Sequence, residues 1–303
     1  MKPAAPSHPS TDHTPSARGL SRRHALAALA GTVASAWAPA QAMELQDLDR
    51  IRATGVLKVA IYKDNAPYSD LVGNEVTGLD VSLARALARE MNLQLALLPF
   101  DAGEKMNDDL RNMVWRGHYL GYGPADVMLH VPVDKYLINQ NRQTLIFAPY
   151  AREVLTVLHR NDRLSGLRSG DDLQGLKLGA EQGSGAASIL MAYRGGMLRE
   201  QVRIFRNGIE AAAAVLAGEV DAAYVTRAQA ETALFRARAD RHAYGLTTLG
   251  LPGLADNGWP IGMAVKSENK SLAQALEAAL QRLRDQGQLL ALFRDQGLTL
   301  VAP

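Results

Sequence analysis

Short apolar runs alternate with amphipathic segments along most of this chain, and that order constrains the fold more than any other feature. Residues 56–61 (VLKVAI) and 93–98 (LQLALL) have the composition of buried strands. Between them, apolar residues recur every four positions from Leu79 to Met91, which predicts a helix. A strand, a helix and a second strand in this order form a right-handed parallel unit of an α/β sheet.

The same pattern begins again in the second half of the chain. Strands are predicted at residues 176–179, 202–205 and 220–225, and helices at residues 185–193, 209–217 and 227–238. Asn207 is expected to cap the second of these helices. Further strands are predicted at 125–129, 153–158 and 261–265, and Ser271 is expected to cap a final helix. Two consecutive α/β halves in 303 residues predict a protein of two lobes.

The first 42 residues have the features of an export signal. Arg22 and Arg23 precede an Ala-rich apolar run at residues 25–38, and the sequence AQA at residues 40–42 fits a signal peptidase site. The paired arginines predict the twin-arginine route, but Ala25 replaces the usual Phe, so the general secretory route stays open. The run is too short and too Ala-rich to span a membrane stably. We therefore expect a signal peptide at 1–42, cleaved near Ala42, and a soluble mature protein in the periplasm.

Charge and cysteine content exclude several classes of function. The chain has 33 Lys and Arg against 31 Asp and Glu, and the excess lies in the first 42 residues, so the mature part is close to neutral. Without a basic stripe, no nucleic-acid partner is predicted. The absence of cysteine excludes a disulfide, a thiolate nucleophile and a Cys-ligated zinc site. No metal, phosphate-loop or dinucleotide motif occurs either, so no cofactor is predicted, but the absence of these motifs does not exclude an enzyme.

Eight phrases along the chain resemble, in order and spacing, the amino-acid-type extracellular solute-binding proteins (family 3 of ABC importers). They are GVLKVA (55–60), APY (66–68), GLDV (78–81), ADVM (125–128), FAPY (147–150), DLQG (172–175), QGS (182–184) and GEVDA (218–222). The similarity spans about residues 48–297. It implies the type II periplasmic binding protein fold, in which two α/β lobes, each a mostly parallel sheet flanked by helices, are joined by two hinge crossings.

The resemblance also implies boundaries, partners and a mechanism. Lobe I would comprise residues 43–152 plus 249–303 and lobe II residues 153–248, with crossings near 151–153 and 249–254. The lobes of this family close around a small molecule and deliver it to the membrane subunits of an ABC importer, so the resemblance implies a binding protein and not an enzyme. Such a protein is expected to act as a monomer. Asp80 and Asp221 are expected to have structural roles, in helix-start and turn hydrogen bonds.

Candidate ligand contacts lie where strand ends and helix starts line the cleft of this family. They are Tyr62, Tyr68, His130, Val131, Arg142, Gly183, Ser184, Gly185 and Thr226. The GSG sequence at 183–185 begins a predicted helix, whose free N–H groups suit an anionic group. We therefore expect a small, anionic ligand. The alternative is that this sequence is a plain strand-to-helix turn.

Two departures from the family pattern argue against an ordinary amino-acid ligand. Family members usually bind the ligand carboxylate with an Arg at the position of Asn141, and Arg142 follows one residue later. They usually bind the ammonium with an acid at the position of Thr226, and a hydroxyl cannot supply that charge.

Other functions on the same fold stay open. The phrases at 130–134 and 259–265 are similar to a subgroup found beside quinoprotein alcohol dehydrogenases, so an accessory protein for a pyrroloquinoline quinone (PQQ)-dependent dehydrogenase without a transport role is one alternative. A lyase similar to periplasmic cyclohexadienyl dehydratases is another. It would need an acid in the cleft, for which Glu181 or Glu75 is available.

Overall fold

The computed structural model describes residues 47–164, 166–253 and 257–303, so the predicted signal peptide at 1–42 lies outside the described residues. The α-helices in these ranges are α1 (Asp47–Thr54), α2 (Leu79–Glu90), α3 (Met106–Leu110), α4 (Lys135–Gln140), α5 (Gly185–Gly196), α6 (Gly208–Leu216), α7 (Arg227–Arg236), α8 (Lys270–Asp285) and α9 (Gln288–Asp295). The strands are β1 (Val56–Tyr62), β2 (Asp64–Asn65), β3 (Ser69–Val72), β4 (Glu75–Thr77), β5 (Gln94–Phe100), β6 (Val127–Pro132), β7 (Thr144–Glu153), β8 (Leu155–Arg160), β9 (Leu178–Glu181), β10 (Val202–Phe205), β11 (Ala222–Thr226), β12 (Tyr244–Thr247) and β13 (Trp259–Lys266). None of these helices is long and apolar enough to cross a membrane.

The first sheet has the strand order β5-β1-β6-β13-β7. β1 pairs in parallel with both β5 and β6, which confirms the parallel unit predicted around α2. β13 pairs antiparallel with β6 and with β7, so a strand from the end of the chain is inserted into the first sheet. This return of the C-terminal strand is the arrangement that the family resemblance implied.

The second sheet has the order β10-β9-β11-β8-β12 and the same internal plan. β9 pairs in parallel with β10 and β11, while β8 pairs antiparallel with β11 and β12. One contact recurs in both sheets. The N–H of Lys58 donates to the Asp126 carboxylate at 2.8 Å, and the N–H of Lys177 donates to the Asp221 carboxylate at 2.8 Å. Asp221 therefore has a structural role, as predicted, but its hydrogen bond reaches the residue before β9 and does not close a local turn.

Helices cover both faces of each sheet. In the first lobe, built on the first sheet, α1, α2, α8 and α9 bury one face, and α3 with the π-helical turn Arg111–Trp115 buries the other. In the second lobe, built on the second sheet, α5 packs on one face and α6 with α7 on the other. Asn207 caps α6, since its side chain accepts the N–H of Glu210, as predicted.

The chain passes between the sheets at two places. Val154 alone separates β7 of the first sheet from β8 of the second, so the strand predicted at 153–158 is divided by the first crossing. The second crossing runs from β12 to β13, and residues 254–256 within it lie outside the described residues.

Several elements differ from the prediction. Residues 63–78, for which no strand was predicted, contain a small antiparallel sheet of β2, β3 and β4. β12, for which no strand was predicted either, forms at the edge of the second sheet. Ser271 does not cap α8. The helix begins at Lys270, and the Ser271 hydroxyl donates to the Asp47 carboxylate at 2.6 Å, because α1 packs against the start of α8.

Candidate functional site

A pocket of about 150 Å³ lies at the boundary between the two lobes. The second lobe supplies the end of β9, the start of α5 and the β11–α7 junction, and the first lobe supplies Trp259 at the start of β13. The polar lining consists of Glu181, Ser184, Thr226 and Gln229. The apolar lining consists of Leu155, Ala186, Tyr224, Val225 and Trp259. The strand ends and helix starts of the second sheet thus meet a side chain of the first.

Glu181 carries the charge of this pocket. Its carboxylate accepts a hydrogen bond from Nε2 of Gln229 at 2.7 Å. Burial raises the pKa of Glu181, and the hydrogen bonds from Gln229 and from the Gly208 N–H oppose this rise. The negative charges of Glu153 and Asp64, both on the first lobe, raise the pKa further. Charges of the first lobe therefore act on the carboxylate that the second lobe contributes to the pocket.

Ser184, Gly185 and Thr226 are the predicted ligand contacts that the structure brings together in this pocket. The Ser184 hydroxyl caps α5 by accepting the Ala187 N–H at 3.1 Å, and it donates to the Glu181 carbonyl at 2.8 Å. The Thr226 hydroxyl caps α7 by accepting the Gln229 N–H at 3.3 Å. Gly183 lies in the turn just before Ser184, with a φ of 71°. Both hydroxyls are thus already engaged in holding helix starts.

His130 lies in a buried polar network beside the pocket. Its Nδ1 is 3.0 Å from Oδ2 of Asp80, and its Nε2 is 3.7 Å from Oε2 of Glu153. The Tyr150 hydroxyl donates to Asp80 at 2.7 Å and accepts the His130 N–H at 3.1 Å. The Tyr68 ring packs on the imidazole, with ring centres 4.3 Å apart.

The charges around His130 fix its protonation. Burial lowers the pKa of His130, but the charges and hydrogen bonds of Asp80 and Glu153 outweigh it and raise the pKa to about 10. The imidazole is therefore a cation at neutral pH. The backbone of His130 has a φ of 60°, a left-handed conformation that non-glycine residues seldom adopt. His130 thus connects Asp80 in the interior of the first lobe with Glu153, the last residue before the first crossing.

The structure places the other predicted ligand contacts away from this pocket. Tyr62 is buried, and its hydroxyl donates to Asp109 at 2.9 Å. Val131 is fully buried in the first lobe. Arg142 is exposed in a separate groove beside Leu145 and Lys270. Binding roles for these three residues stay predictions.

Several residues that line the pocket, among them Gln229 and Trp259, were not among the predicted contacts, and neither was Glu153. Gln229 reaches Glu181 from the first turn of α7. The capping box that it forms with Thr226 is a local sequence pattern from which its position could have been predicted. Trp259 and Glu153 are cross-strand partners on β13 and β7. Their proximity depends on strand register, which local sequence patterns do not encode.

The two lobes are in contact around the site. Ala66 of the first lobe packs on the core of the second, and Ala228 of the second packs on the core of the first. Glu231 of α7, almost fully buried, accepts the N–H and the hydroxyl of Thr299, both at 2.7 Å. Within the described part of the chain, no group of three or more acidic, His or Cys side chains is arranged to hold a metal ion. The arrangement suits the enclosure of a small molecule between lobes.

No protein-family model and no curated protein matches this sequence. Among solved structures, it is similar to an ancestral cationic amino acid solute-binding protein, with a TM-score of 0.63 and 21% identity over 82% of this chain and 99% of that one. An amino acid ABC transporter substrate-binding protein from Streptococcus pneumoniae bound to L-arginine gives a TM-score of 0.57 and 20% identity over 85% and 100%. A polar amino acid ABC uptake transporter substrate-binding protein from Streptococcus thermophilus gives 0.65 and 15% over 85% and 92%. The chain therefore has the two-lobed α/β fold of periplasmic binding proteins.

Proposed function

We propose that this chain is an exported periplasmic solute-binding protein that closes around a small molecule and presents it to an ABC importer. The pocket between the lobes carries this proposal, because Trp259 of the first lobe and Glu181 of the second line the same small space. A ligand that contacts both lobes stabilises their closed arrangement. The solute-binding proteins among the structural neighbours and the features of residues 1–42 support the same function.

The charge of the ligand differs from the sequence-based expectation of an anion. Glu181 is the one charged side chain that lines the pocket in the described part of the chain. An anion placed there would meet a carboxylate without a cation to pair with, and burying an unpaired charge is costly. A structural neighbour is bound to L-arginine, which is a cation. These observations do not support an anionic ligand.

Thermal-shift measurements on the purified protein test the proposed function. A ligand that binds the folded state raises the melting temperature in proportion to the logarithm of its concentration above Kd. Amino acids, amines, keto and hydroxy acids and PQQ form the screen. The change in tryptophan fluorescence on adding a ligand locates the binding site. Trp259 lines the pocket, whereas Trp115 lies on the π-helical turn of the first lobe. The ligand-dependent signal should survive Trp115→Phe and disappear in Trp259→Phe.

Failure of every small molecule in this screen would contradict the proposed function. If a periplasmic quinoprotein dehydrogenase also co-purified with the chain, the accessory role for that enzyme would be favoured instead. Each function makes a different prediction for the pocket. Substitution of Glu181 should weaken small-molecule binding at least tenfold but should leave an association through another surface intact.

Glu181 also favours a lyase as the second candidate function. A dehydratase needs an acid in its cleft, and burial raises the pKa of Glu181, which favours the protonated form that can donate a proton. One structural neighbour is described as a precursor of cyclohexadienyl dehydratase. Turnover of prephenate or arogenate by the wild type, and its loss in Glu181→Gln, would favour this function over simple binding.

A further inference from the structure

The pocket between the lobes has an unbalanced charge. Its lining includes the carboxylate of Glu181, and within the described residues it includes no Lys, Arg or His. Glu153 of the first lobe is the cross-strand partner of Trp259, which lines the pocket. Asp64 adds a third negative charge from the β1–β3 connection, since its charge also acts on Glu181. These three carboxylates make the potential in the pocket more negative.

His130 offsets only part of this charge. It lies 3.7 Å from Glu153 and 3.0 Å from Asp80, so a single imidazolium is shared by two carboxylates. Asp80, His130 and Glu153 together carry one net negative charge when all three are ionised. Glu181 adds to this from the opposite lobe. The carboxylates that the two lobes contribute repel each other, and a cation between them would convert that repulsion into attraction.

The remaining surface of the pocket suits a small organic cation. The indole of Trp259 is the aromatic side chain that attracts a cation most strongly across its face. Leu155 and Val225 provide an apolar wall for a short carbon chain. A cavity of about 150 Å³ holds a molecule about the size of benzene, which has six heavy atoms. An L-arginine side chain and backbone together exceed that size.

A ligand carboxylate has no cationic partner in this pocket. The Ser184 hydroxyl, which is the nearest polar group at the start of α5, already donates to the Glu181 carbonyl and accepts the Ala187 N–H. A carboxylate beside α5 would also lie close to Glu181, and the two negative charges would repel. An amine satisfies the pocket better than the amino acid with the same side chain.

We infer that the ligand is a small primary amine without a carboxylate, held by Glu181 of one lobe and Glu153 of the other against the indole of Trp259. This inference rests on the proposed binding function and names its ligand class. The ammonium group would replace the hydrogen bond that Gln229 donates to Glu181, or share its acceptor. Because both lobes contribute a carboxylate, the same contacts that recognise the amine also close the lobes.

Titration calorimetry with three matched ligands tests this inference on the full chain. Isobutylamine, valine and 3-methylbutanoate share a branched carbon skeleton and differ in which charged groups they carry. Isobutylamine should bind at least tenfold more tightly than valine, and 3-methylbutanoate should not bind. Valine binding as tightly as isobutylamine, or more tightly, would overturn the inference and leave the proposed function intact. Absence of binding by isobutylamine, methylamine and ethylamine would also overturn it, and only an empty wider screen would remove the proposed function as well.

Substitutions locate the amine within the pocket. Glu181→Gln should weaken isobutylamine binding at least tenfold, and Glu153→Gln should weaken it as well. Glu200→Gln is the control, because Glu200 is an exposed glutamate of the second lobe, to which Glu181 also belongs. Circular dichroism establishes that each variant is folded. If Glu181→Gln bound the amine as the wild type does, the site assignment would be wrong.

The pH dependence provides a readout that does not depend on variants. An ammonium ligand needs Glu181 ionised, so its affinity should fall as the solution is acidified through the raised pKa of that carboxyl. The fall should begin at a higher pH than an ordinary glutamate would give. The affinity of the wild type for isobutylamine should show this pH dependence, and the affinity of Glu181→Gln should not.

Discussion

The imidazole of His130 and the carboxylate of Asp80 form a buried ion pair, with Nδ1 of His130 3.0 Å from Oδ2 of Asp80. On its other side, His130 faces Glu153 at 3.7 Å. His130→Gln would leave two buried carboxylates without a cation. Loss of one member of a buried ion pair typically costs about 3–5 kcal/mol, and we expect a decrease of this size in the free energy of unfolding.

Urea denaturation at pH 7 measures this decrease. His242→Gln is the control, because His242 is exposed on the second lobe, and its free energy of unfolding should change by less than about 0.5 kcal/mol. A loss below about 1 kcal/mol in His130→Gln would mean that the two carboxylates do not depend on the imidazolium.

The same ion pair predicts how stability depends on pH. The pKa of His130 rises from 6.5 in the unfolded chain to about 10 in the folded protein, so the folded state binds this proton more tightly. The resulting stabilisation is complete below about pH 6.5 and is lost as the pH rises to about 10. The difference in unfolding free energy between wild type and His130→Gln should therefore be largest near pH 6.5 and should shrink toward pH 10. A difference that stayed constant over this range would contradict the raised pKa.

The elements of this fold could be predicted where a local pattern determines them. Leu79 to Met91 predicted α2 because its four-residue apolar period reflects a buried helix face. Asn207 predicted the start of α6 because capping is a contact with the next few residues. The small sheet of β2 to β4 and the edge strand β12 were missed, because short strands have little apolar period of their own.

The site could be predicted only in part, for a related reason. Ser184, Gly185 and Thr226 lie at strand-to-helix junctions that the sequence marks locally, and the structure brings them into one pocket. Asp80 and His130 are 50 residues apart, and their pairing requires the assembled first lobe. The anionic ligand was predicted from the start of α5 alone. That prediction left out Glu181 and Glu153, which add carboxylates from two sheets. Tertiary assembly thus decides the electrostatics that local motifs leave open.

Gly78 brings the chain close enough to position Asp80 beside His130. It has a φ of 130°, and an added Cβ would overlap the carbonyl oxygen of Tyr68. The Asp80 N–H donates to that same carbonyl at 2.7 Å. We expect Gly78→Ala to lower the free energy of unfolding by about 1–3 kcal/mol more than Gly73→Ala, because backbone overlap adds to conformational strain.

Gly73 is the matched control for this substitution. It has a φ of 65°, and its Cβ would meet open space, so Gly73→Ala should cost only the left-handed conformation, about 1–2 kcal/mol. Chemical denaturation of both variants compares them directly. Equal losses would show that the backbone around Tyr68 can move to accommodate a methyl group.

Thr299 connects the C-terminal segment to the second lobe. Its N–H and hydroxyl both donate at 2.7 Å to Glu231 of α7, whose carboxylate also accepts Nε of Arg227 at 2.9 Å. The preceding helix α9 packs on the core of the first lobe. Thr299→Val removes one hydrogen bond to a buried carboxylate and keeps the shape, so we expect a loss of about 1.5–3 kcal/mol in unfolding free energy.

The position of this contact between the lobes gives the substitution a second consequence. Because Glu231 and Thr299 belong to different lobes, Thr299→Val should increase hydrogen exchange along α7 and at Val154 beyond the change in global stability. Thr54→Val is the control, since the Thr54 hydroxyl donates to the Ile51 carbonyl within α1 and touches one lobe only. If the two variants changed exchange at Val154 equally, the Thr299 contact would stabilise the fold without restraining the lobes relative to each other.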